Sequence, residues 1–198
     1  MVGAAGKRAA AERPALVLAS ASPQRRAILE RLGVAFEVRA APVSELERGD
    51  PQEVALENAL RKARAVRRRE ANESLLACDT LVTLGGVIYG KPVDERAARE
   101  TLQALSGATH EVVSGLALLL ADGVTRTATA RTAVSFRVLG EGTLDWYLGT
   151  GEWRGRAGGY AIQGAGAALV RRIEGDYENV VGLPLAALLD IHPELLER

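Results

Sequence analysis

The chain has 198 residues, 47% hydrophobic and 25% charged, proportions of an ordinary globular protein with room for one domain or two small lobes sharing a core. Its 25 Lys and Arg balance 25 Asp and Glu, so no global field recruits a nucleic-acid polymer or an anionic membrane, and any attraction for anions has to be local. One cysteine, Cys78, excludes an internal disulfide framework and fits a reducing cytoplasm; with only His110 and His192 besides, a Cys/His zinc site is all but excluded, which leaves hard ions on carboxylates.

Residues 1–13, "MVGAAGKRAAAER", are basic without the apolar core of a secretion signal and read as a flexible tail ahead of a single domain over 14–198. Ala15 to Ser20 reads as a short buried strand. Ser22 is then an N-cap and Pro23 the first residue of a helix whose apolar side is Ile28, Leu29 and Leu32. The first turn of that helix carries Arg25 and Arg26, at the positive end of the macrodipole, where each cation is unfavourable by about 0.3–1 kcal/mol. Two explanations stand at this point. Arginines on a solvated helix cost little; alternatively, an anion set against free N–H groups, a serine hydroxyl and two guanidinium groups would turn the fault into a binding site.

"VAFEVRA" (34–40) alternates like a strand, and "PVSELERG" reads as a loop containing Glu45. Asp50 as N-cap, Pro51 at N1 and Glu53 predict a helix running to about Arg69. Lys62 lies on its apolar edge, among Ala59, Leu60, Ala63 and Val66. "SLLACDTLVTLGGVIYGKP" predicts a buried strand, a polar break at Asp79-Thr80, more strand and a hairpin turn at Gly85-Gly86. With Leu84 facing Val87, the pairing extrapolates to Thr80 opposite Lys91, which brings Asp79 and Lys91 to one end of the hairpin. Taken alone, that arrangement favours a surface ion pair over a shared ligand.

"DERAARETLQALSG" predicts a helix capped by Asp94 and stopped at Gly107. "HEVVSGLALLL", the turn "ADG" and "TRTATARTAVSFRVL" predict a long antiparallel hairpin, and "GTLDWYLGTGEW" a short helix. A glycine-rich loop, "RGRAGGYAIQGAG", leads into the strand "AALVRRI", the turn "EGD" and a terminal helix after Pro184. The order of elements is that of an α/β or α+β protein with a mixed sheet; neither GxGxxG nor a Walker lysine motif is present. The longest apolar runs, such as "GLALLLA" (115–121), are too short to span a bilayer. Cys78, with no histidine near it in sequence, reads as packing rather than as a nucleophile.

Taken together, Arg25, Arg26, Lys62 and Lys91 supply the cations that a nucleoside triphosphate requires, and Glu45 and Asp79 an acidic pair to hold Mg²⁺ or align water. At this point "LASASPQRRAIL", "ENALRKARAV", "CDTLVTLGGVIYGKP", "LSGATHEVVSGLALL", "RAGGYAIQGAGAALV" and "IEGDYENVVGLPL" together resemble the Maf family of nucleoside triphosphate pyrophosphatases, from about Ala15 to Leu189. The resemblance implies a two-lobed mixed α/β fold with a central twisted sheet and a cleft, usually in a homodimer. It also implies hydrolysis between the α- and β-phosphates, dependent on Mg²⁺ or Mn²⁺, giving the nucleoside monophosphate and pyrophosphate.

Matched position by position, the resemblance makes Asp79 the proton acceptor and Glu45 its acidic companion at the metal. Lys62 and Lys91 become catalytic cations. Ser20, Gln24, Arg25, Thr80 and Gln163 become substrate contacts, and Arg26 is added to them on its charge rather than on the match. The position after Ser-Pro is arginine in the branch acting on thymidine and uridine triphosphates and aromatic in the branch preferring 7-methylguanosine triphosphate. Gln24 is neither, whereas Thr80 and Gln163 look like the pyrimidine branch; the implied substrate is a pyrimidine or modified-base nucleotide, with 7-methylguanosine triphosphate as the alternative. A nucleotide sensor that regulates division without catalysis is the rival from another class.

Overall fold

The computed structural model describes residues 15–197; the expected tail at 1–13 lies outside them. Seven strands form one mixed sheet. These are β1 (Ala15–Leu18), β2 (Phe36–Val38), β3 (Glu73–Leu84), β4 (Val87–Tyr89), β5 (Thr109–Leu119), β6 (Thr125–Phe136) and β7 (Val170–Glu174). The order across the sheet is β2-β1-β3-β5-β6-β7, with β1 parallel to both β2 and β3, and β3, β5, β6 and β7 successively antiparallel. The helices are α1 (Pro23–Arg31), α2 (Pro51–Ala65), α3 (Glu95–Leu105), α4 (Glu141–Thr150), α5 (Tyr177–Val181) and α6 (Leu185–Ile191). No helix among the described residues is long and apolar enough to cross a membrane.

The core follows from strand alternation. Leu16, Leu18, Leu76, Cys78, Leu116 and Leu118 pack with Ile28 and Leu29 of α1 and Leu188 of α6 on one face. On the other, Val17, Ala19, Leu75, Ala77 and Ala117 pack with Ala59 and Ala63 of α2. A third cluster joins Val112, Val134 and Phe136 to Leu102 and Leu105 of α3 and Leu144, Tyr147 and Leu148 of α4. Gly115, midway along β5, sets how close α2 comes. A Cβ there would lie 2.4 Å from the carbonyl carbon and oxygen of Ala55, so only glycine lets this helix sit against the sheet.

One break in the pairing matters most. Along one edge of β3, β1 covers Glu73 to Leu76 and β4 covers Val82 to Leu84, so no strand pairs with Ala77 to Leu81 on that side. The opposite edge is covered without interruption by β5, from Leu75 to Thr83. The sheet is thus split between β1 and β4 and held together behind the split by one continuous strand. A crevice at the point where neighbouring connections diverge is where open α/β sheets bind ligands.

Several expectations are revised by the coordinates. β3 runs unbroken through Asp79-Thr80, because both side chains find polar partners and need not leave the sheet. α2 ends at Ala65 rather than near Arg69; Val66 turns to extended geometry and buries its side chain with Ala59, Ala63 and Leu75. The hairpin register Leu84↔Val87 holds, with Gly85 and Gly86 at φ +58° and +82°, but the pairing stops at Val82↔Tyr89 and never reaches Thr80 and Lys91. The Gly90 carbonyl instead accepts the N–H of Gly158, 3.1 Å away in the glycine-rich loop. A short helix, α5, intervenes before the terminal one, capped by Asp176.

Candidate active site

The split in the sheet opens into a cleft of about 1050 Å³. Ser20, Gln24, Arg25, Glu45, Lys62, Asp79, Thr80, Lys91 and Gln163 all line it. Of the site residues expected from sequence, only Arg26 is not among the lining. Its Nε pairs with Glu30 Oε1 at 2.7 Å, one turn along the exposed side of α1.

The two arginines of the first helical turn therefore part company. Ser22 caps the helix by accepting from the Arg25 N–H, and Pro23 opens it. The next positions send Arg25 inward and Arg26 outward. Arg25 is only 8% exposed. Its Nε donates to the Gly182 carbonyl at 2.8 Å, Nη1 to Ser20 Oγ at 2.9 Å and Nη2 to Thr80 Oγ1 at 3.2 Å. Every acceptor is neutral. Holding a guanidinium out of water with no carboxylate beside it is costly, and an anion in the cleft is the natural remedy. α5 contributes here too: it ends at Gly182, φ +133°, and turns that residue's carbonyl onto Arg25.

Asp79 and Thr80 are consecutive, so they point to opposite faces of β3. Thr80 joins the Arg25 side, with its hydroxyl 2.9 Å from Ser114 Oγ. Asp79 faces α2 in a row that is otherwise Leu75, Ala77 and Leu81, and is 4% exposed. Lys62 Nζ donates to Asp79 Oδ1 at 2.5 Å and lies 2.7 Å from Glu45 Oε1. Asn58, one turn earlier on α2, donates from Nδ2 to Asp79 Oδ2 and to the Leu46 carbonyl, both at 3.0 Å, and accepts from the Leu46 N–H at 2.7 Å. Asn58 thus ties the loop carrying Glu45 to the helix and to Asp79. Sequence reasoning missed it. The available signal was its spacing: four residues before Lys62 and three after Ala55, it falls on the helix face that meets the sheet.

Glu45 and Asp79 are the residues able to hold a divalent ion. Their hard oxygens suit Mg²⁺ or Mn²⁺, which commonly take one or two carboxylates and complete their shell with phosphate oxygens and water. Among the described residues no group of three or more His, Cys, Asp or Glu is arranged to hold a metal alone. Lys62 has three donors; two meet carboxylates here, and the third remains for a ligand oxygen.

Lys91, Arg154, Arg156 and Gln163 line the same cleft. The segment bearing Gln163 is fastened from behind: Tyr160 Oη lies 2.9 Å from His110 Nε2, the Ala161 N–H donates to Tyr147 Oη at 3.0 Å, and the Gly166 N–H to Glu152 Oε2 at 3.3 Å. Burial pushes the His110 imidazole down to about 4 and the Tyr147 phenol up to about 12, so these two rings are neutral near pH 7. Cys78 is fully buried in the apolar face, and its thiol is no nucleophile for the cleft.

The sequence profile of the Maf family (Maf-like protein) matches residues 15–194. A protein of Pyrococcus furiosus named "dTTP/UTP pyrophosphatase" is 43% identical over 89% of this chain and 93% of its own length. Proteins of the same name from Anaeromyxobacter dehalogenans and Deinococcus radiodurans are 48% and 43% identical, over 87% and 89% of this chain and 90% of each relative. Among solved structures, the Staphylococcus aureus Ham1 protein overlaps 61% of this chain and 71% of its own, at 17% identity and a TM-score of 0.44.

Proposed function

This chain belongs to the Maf-like protein family, and from that premise we propose that it hydrolyses nucleoside triphosphates between the α- and β-phosphates, releasing the nucleoside monophosphate and pyrophosphate. The observation that carries the reading is the pairing of two features across one cleft. A buried arginine has no counter-ion, and a buried aspartate is held at a break in the sheet by Lys62 and Asn58. Extensive similarity to proteins named dTTP/UTP pyrophosphatase supports a pyrimidine triphosphate as the substrate.

In this mechanism water attacks the α-phosphorus in line with the α–β bridging oxygen. The P–O bond to that oxygen breaks, pyrophosphate departs with the bonding pair, and the proton of the attacking water passes to an Asp79 oxygen. Lys62 keeps Asp79 and Glu45 together and turns its remaining donor to the phosphates. Arg25, fixed by three oxygens, offers charge at one place without having to be ordered first, which is the economy of a preorganised site. Thr80 and Gln163 contact the base. A divalent ion held by Glu45 and Asp79 would supply Lewis acidity at the phosphates. The same reading takes in a homodimer acting in the cytoplasm.

The test is a panel of nucleoside triphosphates with Mg²⁺ or Mn²⁺, scored by pyrophosphate release. Asp79→Asn keeps the side-chain shape and removes the base. It is expected to lose at least about 100-fold in kcat while nucleotide still raises Tm, because general-base catalysis contributes about 10²–10⁴-fold. Undiminished release from that variant would remove Asp79 from the mechanism, and a protein that binds but never cleaves would be the sensor instead.

A further inference from the structure

Arg156 has had no role so far. It precedes a 3₁₀ turn, Ala157–Gly159, that is pinned to a wall of the cleft. Gly158, at φ +68°, sits so close to Val82 that a Cβ would come within 2.8 Å of its side chain, and its N–H donates to the Gly90 carbonyl at 3.1 Å. Gly159 packs against Pro92. The loop is thereby clamped to the end of β3 and to the segment bearing Lys91, and Arg156 shares a wall of the cleft with that lysine.

Unlike Arg25, Arg39, Arg68 and Arg69, which donate to protein oxygens, Arg156 makes no side-chain hydrogen bond or ion pair among the described residues. Its Nε is shut off from solvent with no acceptor, and it is the one Lys or Arg nitrogen in that condition among the described residues that are buried or half-buried. A guanidinium stays charged at every physiological pH, and a donor that is neither hydrated nor paired is a standing cost. Each such orphan calls for an explanation, and on the wall of a cleft a ligand oxygen supplies one. The Nε–Nη edge of arginine is matched to two oxygens of one phosphate.

We propose that Arg156 binds substrate: on binding, its side chain turns from the occluded position into the cleft that it lines, and its Nε–H and an Nη–H take oxygens of a phosphate of the bound nucleotide, from the wall it shares with Lys91. This rests on the nucleotide reading above and adds a contact to it. A phosphate contact is blind to the base, so its loss should weaken every accepted nucleotide alike. Arg156→Gln, which keeps length and polarity, is expected to lower kcat/KM by about 10- to 100-fold for each triphosphate that the wild type cleaves, the range of a charge-assisted contact. Arg156→Lys should recover part of the loss. Arg96→Ala, whose guanidinium pairs with exposed Glu100, is the control and should match wild type.

Calorimetry with inorganic pyrophosphate alone, in the presence of Mg²⁺, separates the two ideas. Wild type releasing nothing from any nucleotide would sink the functional reading, and Arg156 would still be judged by whether Arg156→Gln binds pyrophosphate at least about tenfold more weakly. Equal binding and equal kcat/KM in the two proteins would overturn the assignment. So would a loss confined to one base, which would make Arg156 a reader of the base instead.

Discussion

At the scale of single residues, Arg25 and Arg26 show how little sequence distance says about role. Both occupy the first turn of α1, and both are unfavourable against the helix dipole. Arg26 meets its cost with Glu30 on the surface, whereas Arg25 is surrounded by neutral acceptors and waits for an anion. Arg25→Met is therefore expected to abolish the stabilisation that nucleotide confers, which for a ligand at 100 times its Kd amounts to about 2.7 kcal/mol. Arg26→Ala should keep it and change kcat/KM by less than about twofold, since an exposed i,i+4 pair contributes about 0.3–0.5 kcal/mol. Thermal unfolding with and without nucleotide checks both. The sequence offered both arginines as candidate anion contacts, and only Arg25 lines the cleft. What separated them is burial, set by Ser20 just ahead of the helix and by Thr80 and Gly182 from two distant segments that spacing along one helix does not report.

At the scale of elements, α2 and β5 form a unit whose glycine determines the chemistry next door. Asp79 lies directly opposite Gly115 in the β3–β5 ladder, and the helix that supplies Asn58 and Lys62 rests on that glycine. Gly115→Ala must push α2 outward, carrying both donors away from Asp79. The expected result is a loss of about 1–3 kcal/mol of stability, the usual penalty for overpacking, together with turnover reduced far more than a surface change would reduce it. Chemical denaturation and pyrophosphate release measure the two parts.

Elements were the best-read level of the sequence. Caps at Ser22, Asp50 and Asp94, the Gly85-Gly86 turn and the long β5–β6 hairpin all lie where local rules put them. The misreadings share a cause. Polar Asp79-Thr80 looked like a break because their partners come from other elements. Lys91 looked strand-paired because nothing local announces that Gly158 will take the Gly90 carbonyl. α5 is too short to leave a periodic signal. Its purpose shows only in what it presents: Asn179, buried against Val112 and Thr132, and the carbonyl of Gly182.

At the scale of the whole molecule, acid sensitivity should be built in at two buried positions. His110 has its folded-state value lowered by burial to about 4, against an ordinary 6.5. The unfolded chain then binds the extra proton between those values, so stability is complete above pH 6.5 and falls as pH drops toward 4, a change on the order of 3 kcal/mol. Glu73, hydrogen-bonded first by Arg39 and then by the Arg69 N–H, is held down to about 2, so its contribution is lost at still lower pH, from the ordinary carboxylate value downward. Tm measured from pH 8 to pH 4 should fall most steeply below 6.5, and His110→Asn should flatten that limb. An unchanged slope in the variant would mean that the imidazole is not responsible.

The split between β1 and β4 has a mechanical corollary. Both banks are carried by the same uninterrupted strand, itself zipped to β5 from Leu75 to Thr83. Swinging one bank away from the other would have to shear that ladder, so the slot cannot breathe as two jaws about a hinge. It stands ready-shaped, and an arriving molecule spends little of its binding strength on moulding the scaffold. Whatever closes over it must come from the rim.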